Sequence, residues 1–157
     1  MGDNVVFDKA VAIMMPPELT SLPIVGNYYR SSSEKTVYEN AADGSFVILV
    51  ADPSNRYDAN AFKAIIDSNG KWYHVGFIQR HLAALLKANL KLPSHEIVVC
   101  LLRKIPHSSD SFAVPFGIIN RSDAKAFSEL IKDPEFVIRI KNKVLSNVNL
   151  IKPFFNN

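Results

Sequence analysis

The stretch AFKAIIDSNGKWYHVGFI, residues 61–78, constrains the fold more than any other part of this chain. Two runs rich in β-branched and aromatic residues flank Ser68-Asn69-Gly70, and residues of that kind supply the positive φ angles of a tight turn. FVILV, Phe46 to Val50, reads as a buried strand ahead of them, so the three runs predict an antiparallel β-meander. LPIVGNYYR, Leu22 to Arg30, reads as an earlier strand, and HEIVVCLLRKI and SFAVPFGIIN as two later ones joined by PHSSD. SSSEKTVYENAADGS is polar and contains Asp43-Gly44, which predicts a long hairpin connection.

Helical spacing appears in three places. QRHLAALLKANL carries Leu82, Leu85, Leu86 and Leu90 at intervals of three and four, and Pro93 closes that region. After Asn120, Ser122 is placed as an N-cap, with Phe127, Leu130 and Ile131 on one helical face. Asp133-Pro134 restarts the pattern, and Phe136, Val137, Ile140 and Val144 form the next stripe. A short N-terminal helix carrying Val5, Val6, Val11 and Ile13 ends at Met15-Pro16-Pro17, and NLIKPFFNN reads as an irregular tail. The expected fold class is α+β, a small, partly open β-barrel of about six strands with one internal helix and C-terminal helices. The expected division is an N-terminal extension (1–21), a barrel domain (22–120) and a C-terminal helical extension (121–157).

Composition narrows the function classes. Hydrophobic residues make up 48% and charged residues 21% of the 157, the balance of a globular protein. No apolar run approaches the ~20 residues needed to span a bilayer, and the acidic N-terminus does not read as a signal peptide. Cys100 is the only cysteine, which excludes an internal disulfide and predicts a reducing, cytoplasmic location. Residues 1–79 carry 6 basic and 9 acidic side chains, whereas 80–157 carry 12 and 6. A basic half attracts polyanions or an acidic partner, and equally keeps helical faces solvated.

Catalytic signatures are missing from the sequence. The histidines, His74, His81, His95 and His107, form no HExxH, and His95 and Cys100 sit five residues apart in one strand, on opposite faces. Cys100 lies between Val99 and Leu101 and reads as a small core residue. The glycines do not fall in GxGxxG or GxxxxGK[ST] spacing. No metal, cofactor or enzymatic activity is expected, although carboxylates that meet only in the fold leave a metal-dependent nuclease open.

DPSNRYDANAF, Asp52 to Phe62, is the remaining anomaly. As a turn, Asp52-Pro53 starts it, Asn55 and Asp58 bond their own backbone, and Asn60 takes the left-handed conformation. That account leaves Tyr57 unexplained, because a large exposed ring is costly unless it packs on something, and a nucleic-acid base is one candidate.

Three blocks in order, VGNYYR (25–30), VILVADPSNRYDANAFKAII (47–66) and HVGFIQRHLAALL (74–86), resemble the successive signatures of the HIRAN domain family. The resemblance covers about Leu22 to Asn120. It implies an OB-like or SH3-like barrel that grips the 3′ end of single-stranded DNA in DNA repair or replication-fork processing. By the same resemblance Tyr29 is the stacking tyrosine with Tyr28 beside it, and Asn55, Tyr57 and Asp58 form the end-recognition bend. Phe112 stacks near the terminal base, Phe77 follows the Val75-Gly76 pair, and Arg80 is the basic residue near phosphate. Arg56 departs from the family, which often has proline before the tyrosine. Tyr29, Phe77 and Phe112 also read as core or capping residues, and Arg80 as a solvated helix start. The implied partner is single-stranded DNA, with a helicase or nuclease as companion and no ATPase in this chain. The alternative is a protein-interaction adaptor using Arg139, Lys141 and Lys143.

Overall fold

Strand β2 (Phe46–Ala51) is apolar on both faces because both faces are covered. Val47 and Leu49 join a cluster inside a barrel, while Phe46 and Ile48 join a second cluster outside it. The usual period-two contrast therefore disappears, and the run reads as continuously apolar. The structure, a computed structural model, describes residues 19, 21–93, 95–105, 107–108 and 110–145.

Strands β3 (Phe62–Ser68) and β4 (Lys71–Ile78) form the expected hairpin, with Asn69 (φ 54°) and Gly70 (φ 84°) supplying its left-handed turn. β5 (Glu96–Lys104) pairs with β2, and β6 (Ser111–Asn120) with β5. A short first strand, β1 (Leu22–Val25), bridges the remaining edges. It pairs with β4 at Ile24–Ile78 and Val25–Phe77, and with β6 at Leu22–Ala113 and Pro23–Phe112. Among the described residues the antiparallel ring runs β1-β4-β3-β2-β5-β6 and closes. The closing strand has only 4 residues against 10 in β6, so its seams hold few ladder bonds. The small, partly open barrel expected from the sequence is the fold observed. Pro115 pairs with Cys100 beside a bulge in the β5–β6 ladder, where a missing donor costs least.

Among the described residues four α-helices finish the two cores. α1 (Ser32–Asn40) and α2 (Arg80–Leu90) contribute Tyr38, Ala83 and Leu86 to the interior. α3 (Ala124–Leu130) and α4 (Pro134–Leu145) lay Phe127, Phe136 and Ile140 over the outer face, against residues such as Val99 and Phe116. Cys100 is fully buried in the interior, and burial pushes its thiol well above the ordinary value.

Several local expectations change. The polar stretch after Arg30 is a helix, not a hairpin connection, so the barrel carries two internal helices. Ser31 accepts from the Glu34 backbone N–H while the Glu34 carboxylate accepts from that of Ser31, a reciprocal capping box. At the other end the Lys104 ammonium donates to Glu39 O and Ala41 O, both at 2.8 Å, satisfying carbonyls that the helix itself cannot. The strand expected over Leu22 to Arg30 stops at Val25, because Gly26 (φ 80°) turns the chain into a 3-10 turn at Asn27–Tyr29. Ser122 does not cap α3; it lies inside a 3-10 turn, Arg121–Asp123, that leads into the helix. The non-glycine residues with positive φ among those described are Asn69, Lys91 and His107, so Asn60 is not left-handed. The expected N-terminal helix, the tail and the side chains of Lys141, Lys143 and Val144 lie outside the described residues.

Gly76 is the tightest point of the seam. A Cβ there meets the Val25 carbonyl oxygen at 2.5 Å and Ile24 Cγ2 at 3.0 Å, and backbone cannot step aside as a flexible side chain can. Gly76→Ala is expected to cost about 1–3 kcal/mol through this overpacking. A urea titration checks it, and an unchanged midpoint means that β1 does not press on β4 at this position.

Candidate functional site

The site is built on the bend between β2 and β3. Asp52 N donates to Ala61 O at 2.8 Å, which draws the two ends of the bend together. Inside it Asn55 Oδ1 accepts from the backbone N–H groups of Tyr57 and Asp58, at 2.9 and 3.0 Å, and Asn55 Nδ2 donates to Asp52 Oδ2. Asp58 Oδ1 in turn accepts from Asn60 N at 2.9 Å. These side chains replace the backbone pairs of a regular turn, and they leave Tyr57 projecting with 78% of its surface exposed. Among the described residues Asp58 Oδ2 accepts no hydrogen bond.

Against this bend lies an open groove of about 450 Å³. Asn55, Arg56, Tyr57, Asp58 and Ala61 form one side, and Val25, Phe77, Ile78 and Arg80 the other. Register explains the second wall. Val25 pairs with Phe77 across the β1–β4 seam, so their side chains emerge on the same face. Arg80 opens α2 immediately after β4 and is exposed.

The 3-10 turn that follows Val25 carries Tyr28 and Tyr29, 78% and 85% exposed, with ring centroids 5.3 Å apart and edge to face. The turn is anchored from below. Asn27 Nδ2 donates to Val75 O at 2.8 Å, and Arg30 Nε donates to His74 O at 3.1 Å while its Nη2 pairs with Glu34. Burial opposes ionisation of Glu34, but hydrogen bonds from Arg30 and Ser31 outweigh it and hold the carboxyl below its ordinary value. His74 stands behind the groove, its ring 4.9 Å from that of Phe77 and its Nε2 bonded to Gly76 O at 2.9 Å. Burial, aided by the Arg30 charge, lowers the His74 pKa, which favours the neutral ring. A neutral ring bonded to a carbonyl carries its proton on Nε2.

Of the residues singled out in the sequence, Asn55, Tyr57, Asp58, Phe77 and Arg80 meet around one groove. Tyr28 and Tyr29 stand on the turn beside it and are not core. Phe112 is not among the groove residues; it is half-buried on β6 opposite Pro23. The sequence alone does not place Val25 and Arg56 in the groove wall, or Lys35 over the Tyr28 ring. Arg56 was visible as the family's missing proline, but its position over the Tyr57 ring, 5.4 Å from the centroid, depends on the folded bend.

The profile of the HIRAN domain matches residues 18–114, more than half of the chain. The chain belongs to the HIRAN family. Neither the curated proteins nor the solved structures include one that matches it. HIRAN membership makes the chain, at the level of the family, a DNA-binding module. No helix among the described residues is long and apolar enough to cross a membrane.

Proposed function

We propose that the groove and its flanking tyrosines bind single-stranded DNA at a free 3′-hydroxyl end, without catalysis, in DNA repair or replication-fork processing. The observation that carries this reading is the exposure of Tyr28, Tyr29 and Tyr57 around a groove that also holds Asp58 and Arg80. Exposed rings beside a groove offer faces to unpaired bases with little sequence preference. Arg80 and Arg56 bring positive charge to the same groove, which suits a phosphodiester backbone and makes binding fall with salt.

Asp58 supplies the end preference. Its Oδ1 is engaged by the Asn60 N–H, which orients the carboxylate and leaves Oδ2 to accept from a terminal hydroxyl. A 3′-phosphate at that point adds like charge to like, so the wrong end is penalised. Labelled strands ending in a 3′-hydroxyl, a 3′-phosphate or a recessed end, titrated at two salt concentrations with and without magnesium, test the reading. Asp58→Ala is expected to cut the preference for the hydroxyl end roughly 10- to 150-fold, since hydrogen bonds to charged groups contribute roughly 1.5–3 kcal/mol. Folding is expected to stay nearly intact, because the variant loses the Asn60 contact but Asn55 still accepts from the Tyr57 and Asp58 N–H groups. Magnesium-dependent cleavage counts against a non-catalytic module. Failure to bind any strand turns attention to an adaptor role on α4, where Ile138 and Arg139 are exposed.

A further inference from the structure

Two of the exposed tyrosines share a feature. Arg56 places its guanidinium carbon 5.4 Å from the Tyr57 ring centroid, and Lys35 places its Nζ 4.9 Å from that of Tyr28. Each ring therefore has a cation over one face and most of its surface still open to solvent. Neither cation forms an ion pair with a carboxylate among the described residues. Arg30, between Tyr28 and Lys35 in the chain, behaves differently: Glu34 and the His74 carbonyl occupy its guanidinium. One neutralised arginine thus holds the turn and two uncommitted cations sit over rings, with Arg80 on the far wall of the groove.

Chain geometry links the two ring and cation pairs. Tyr57 and Val25 line the same groove. Val25 and Tyr28 are three residues apart, so their Cα atoms are separated by at most about 11 Å. A stacked single strand advances about 3.4 Å per nucleotide, so roughly three nucleotides bridge that distance. A strand a few nucleotides long with its end in the groove is long enough to reach Tyr28. A nucleotide presents a base and a phosphate together, and a ring with a cation beside it matches both.

We propose that Lys35 and Arg56 are phosphate contacts marking the two ends of a short track for a single strand, with Arg56 at the terminal nucleotide and Lys35 a few nucleotides inward. This deepens the reading that the groove holds single-stranded DNA and rests on it. Lys35 belongs to α1, whose capping box and Lys104 contacts hold that helix beside the Tyr28 turn. The length of DNA engaged is therefore set by a helix outside the groove, and a ligand too short to reach α1 does not feel Lys35.

The test titrates thymidine oligonucleotides with free 3′-hydroxyls, two and eight nucleotides long, against the whole chain and its Lys35→Gln, Arg56→Gln and double variants from 50 to 200 mM salt. With the longer strand, each single substitution is expected to reduce the magnitude of the log K against log salt slope by about 0.7, and the double by about 1.4. With the dinucleotide, Arg56→Gln retains its effect and Lys35→Gln has none. Lys35→Arg and Arg56→Lys restore the slope, which a merely structural role of either side chain does not predict. Slopes unchanged by Lys35→Gln and Arg56→Gln in a chain that binds strands overturn the track alone. No binding of either oligonucleotide by the unsubstituted chain overturns the groove reading, and the track with it.

Discussion

Phe127→Ala is expected to remove about 3–5 kcal/mol of folding stability, the range for truncating a fully buried phenylalanine. Phe127 is buried between the outer sheet face and α3, its ring 5.5 Å from that of Phe46 and 6.3 Å from that of Trp72. The Trp72 indole N–H also donates to Ser128 Oγ on the same helix. Truncation opens a cavity where β2, β4 and α3 meet, and main-chain pairing of the strands prevents the walls from closing over it. Trp72 is the only tryptophan, so its fluorescence in a urea titration reports the loss directly. The exposed Ile138 serves as control, and Ile138→Ala is expected to stay within about 0.5 kcal/mol. A loss below about 1 kcal/mol for Phe127→Ala sinks the view that α3 completes a shared core. The result matters because α3 and α4 lie beyond residue 114, where the HIRAN match ends.

Tyr57→Ala is expected to weaken binding of every strand end roughly 5- to 150-fold, corresponding to about 1–3 kcal/mol for one stacked base. The ring is mostly exposed and takes no part in either core cluster, so stability changes by no more than about 0.5 kcal/mol. Affinity and stability thus separate in this variant, whereas Phe127→Ala moves stability and leaves the groove residues in place. Tyr57→Phe keeps the face and is expected to bind nearly as the parent does. Fluorescence anisotropy with hydroxyl and phosphate ends measures both. Equal affinity in parent and Tyr57→Ala puts the stacking surface elsewhere, with Tyr28 and Tyr29 the next rings to remove.

The bend from Asp52 to Phe62 shows how far local chemistry can be read. Asn55 and Asp58 were assigned to their own backbone from residue type, and both make those bonds. Asn60 was given a left-handed backbone on the same grounds and does not have one, because the two side-chain turns already reverse the chain. Ser31 to Ser45 departs from its expected hairpin connection for a related reason. Its average polarity resembles a loop, yet Ser31 and Glu34 hold the capping signature of a helix, and Val37 and Tyr38 give that helix a face to bury.

Strands and turns were legible because their signals are local: side-chain branching, period-two apolar placement and a turn residue such as Asn69 act within a few residues. The capping box at α1 was equally local and simply outvoted by its polar surroundings. Only the tertiary structure decided that the ring closes through β1, that Val25 faces Phe77, and that Tyr28 and Tyr29 stand in solvent while Phe112 lies away from the groove. The β1 seam, the Val25–Phe77 pairing and the place of Phe112 depend on strand register between distant segments, whereas Tyr28 and Tyr29 stand out because Gly26 turns the chain off the strand. A register slip of one residue turns every side chain to the other face, and no residue in the sequence by itself records which face it will occupy.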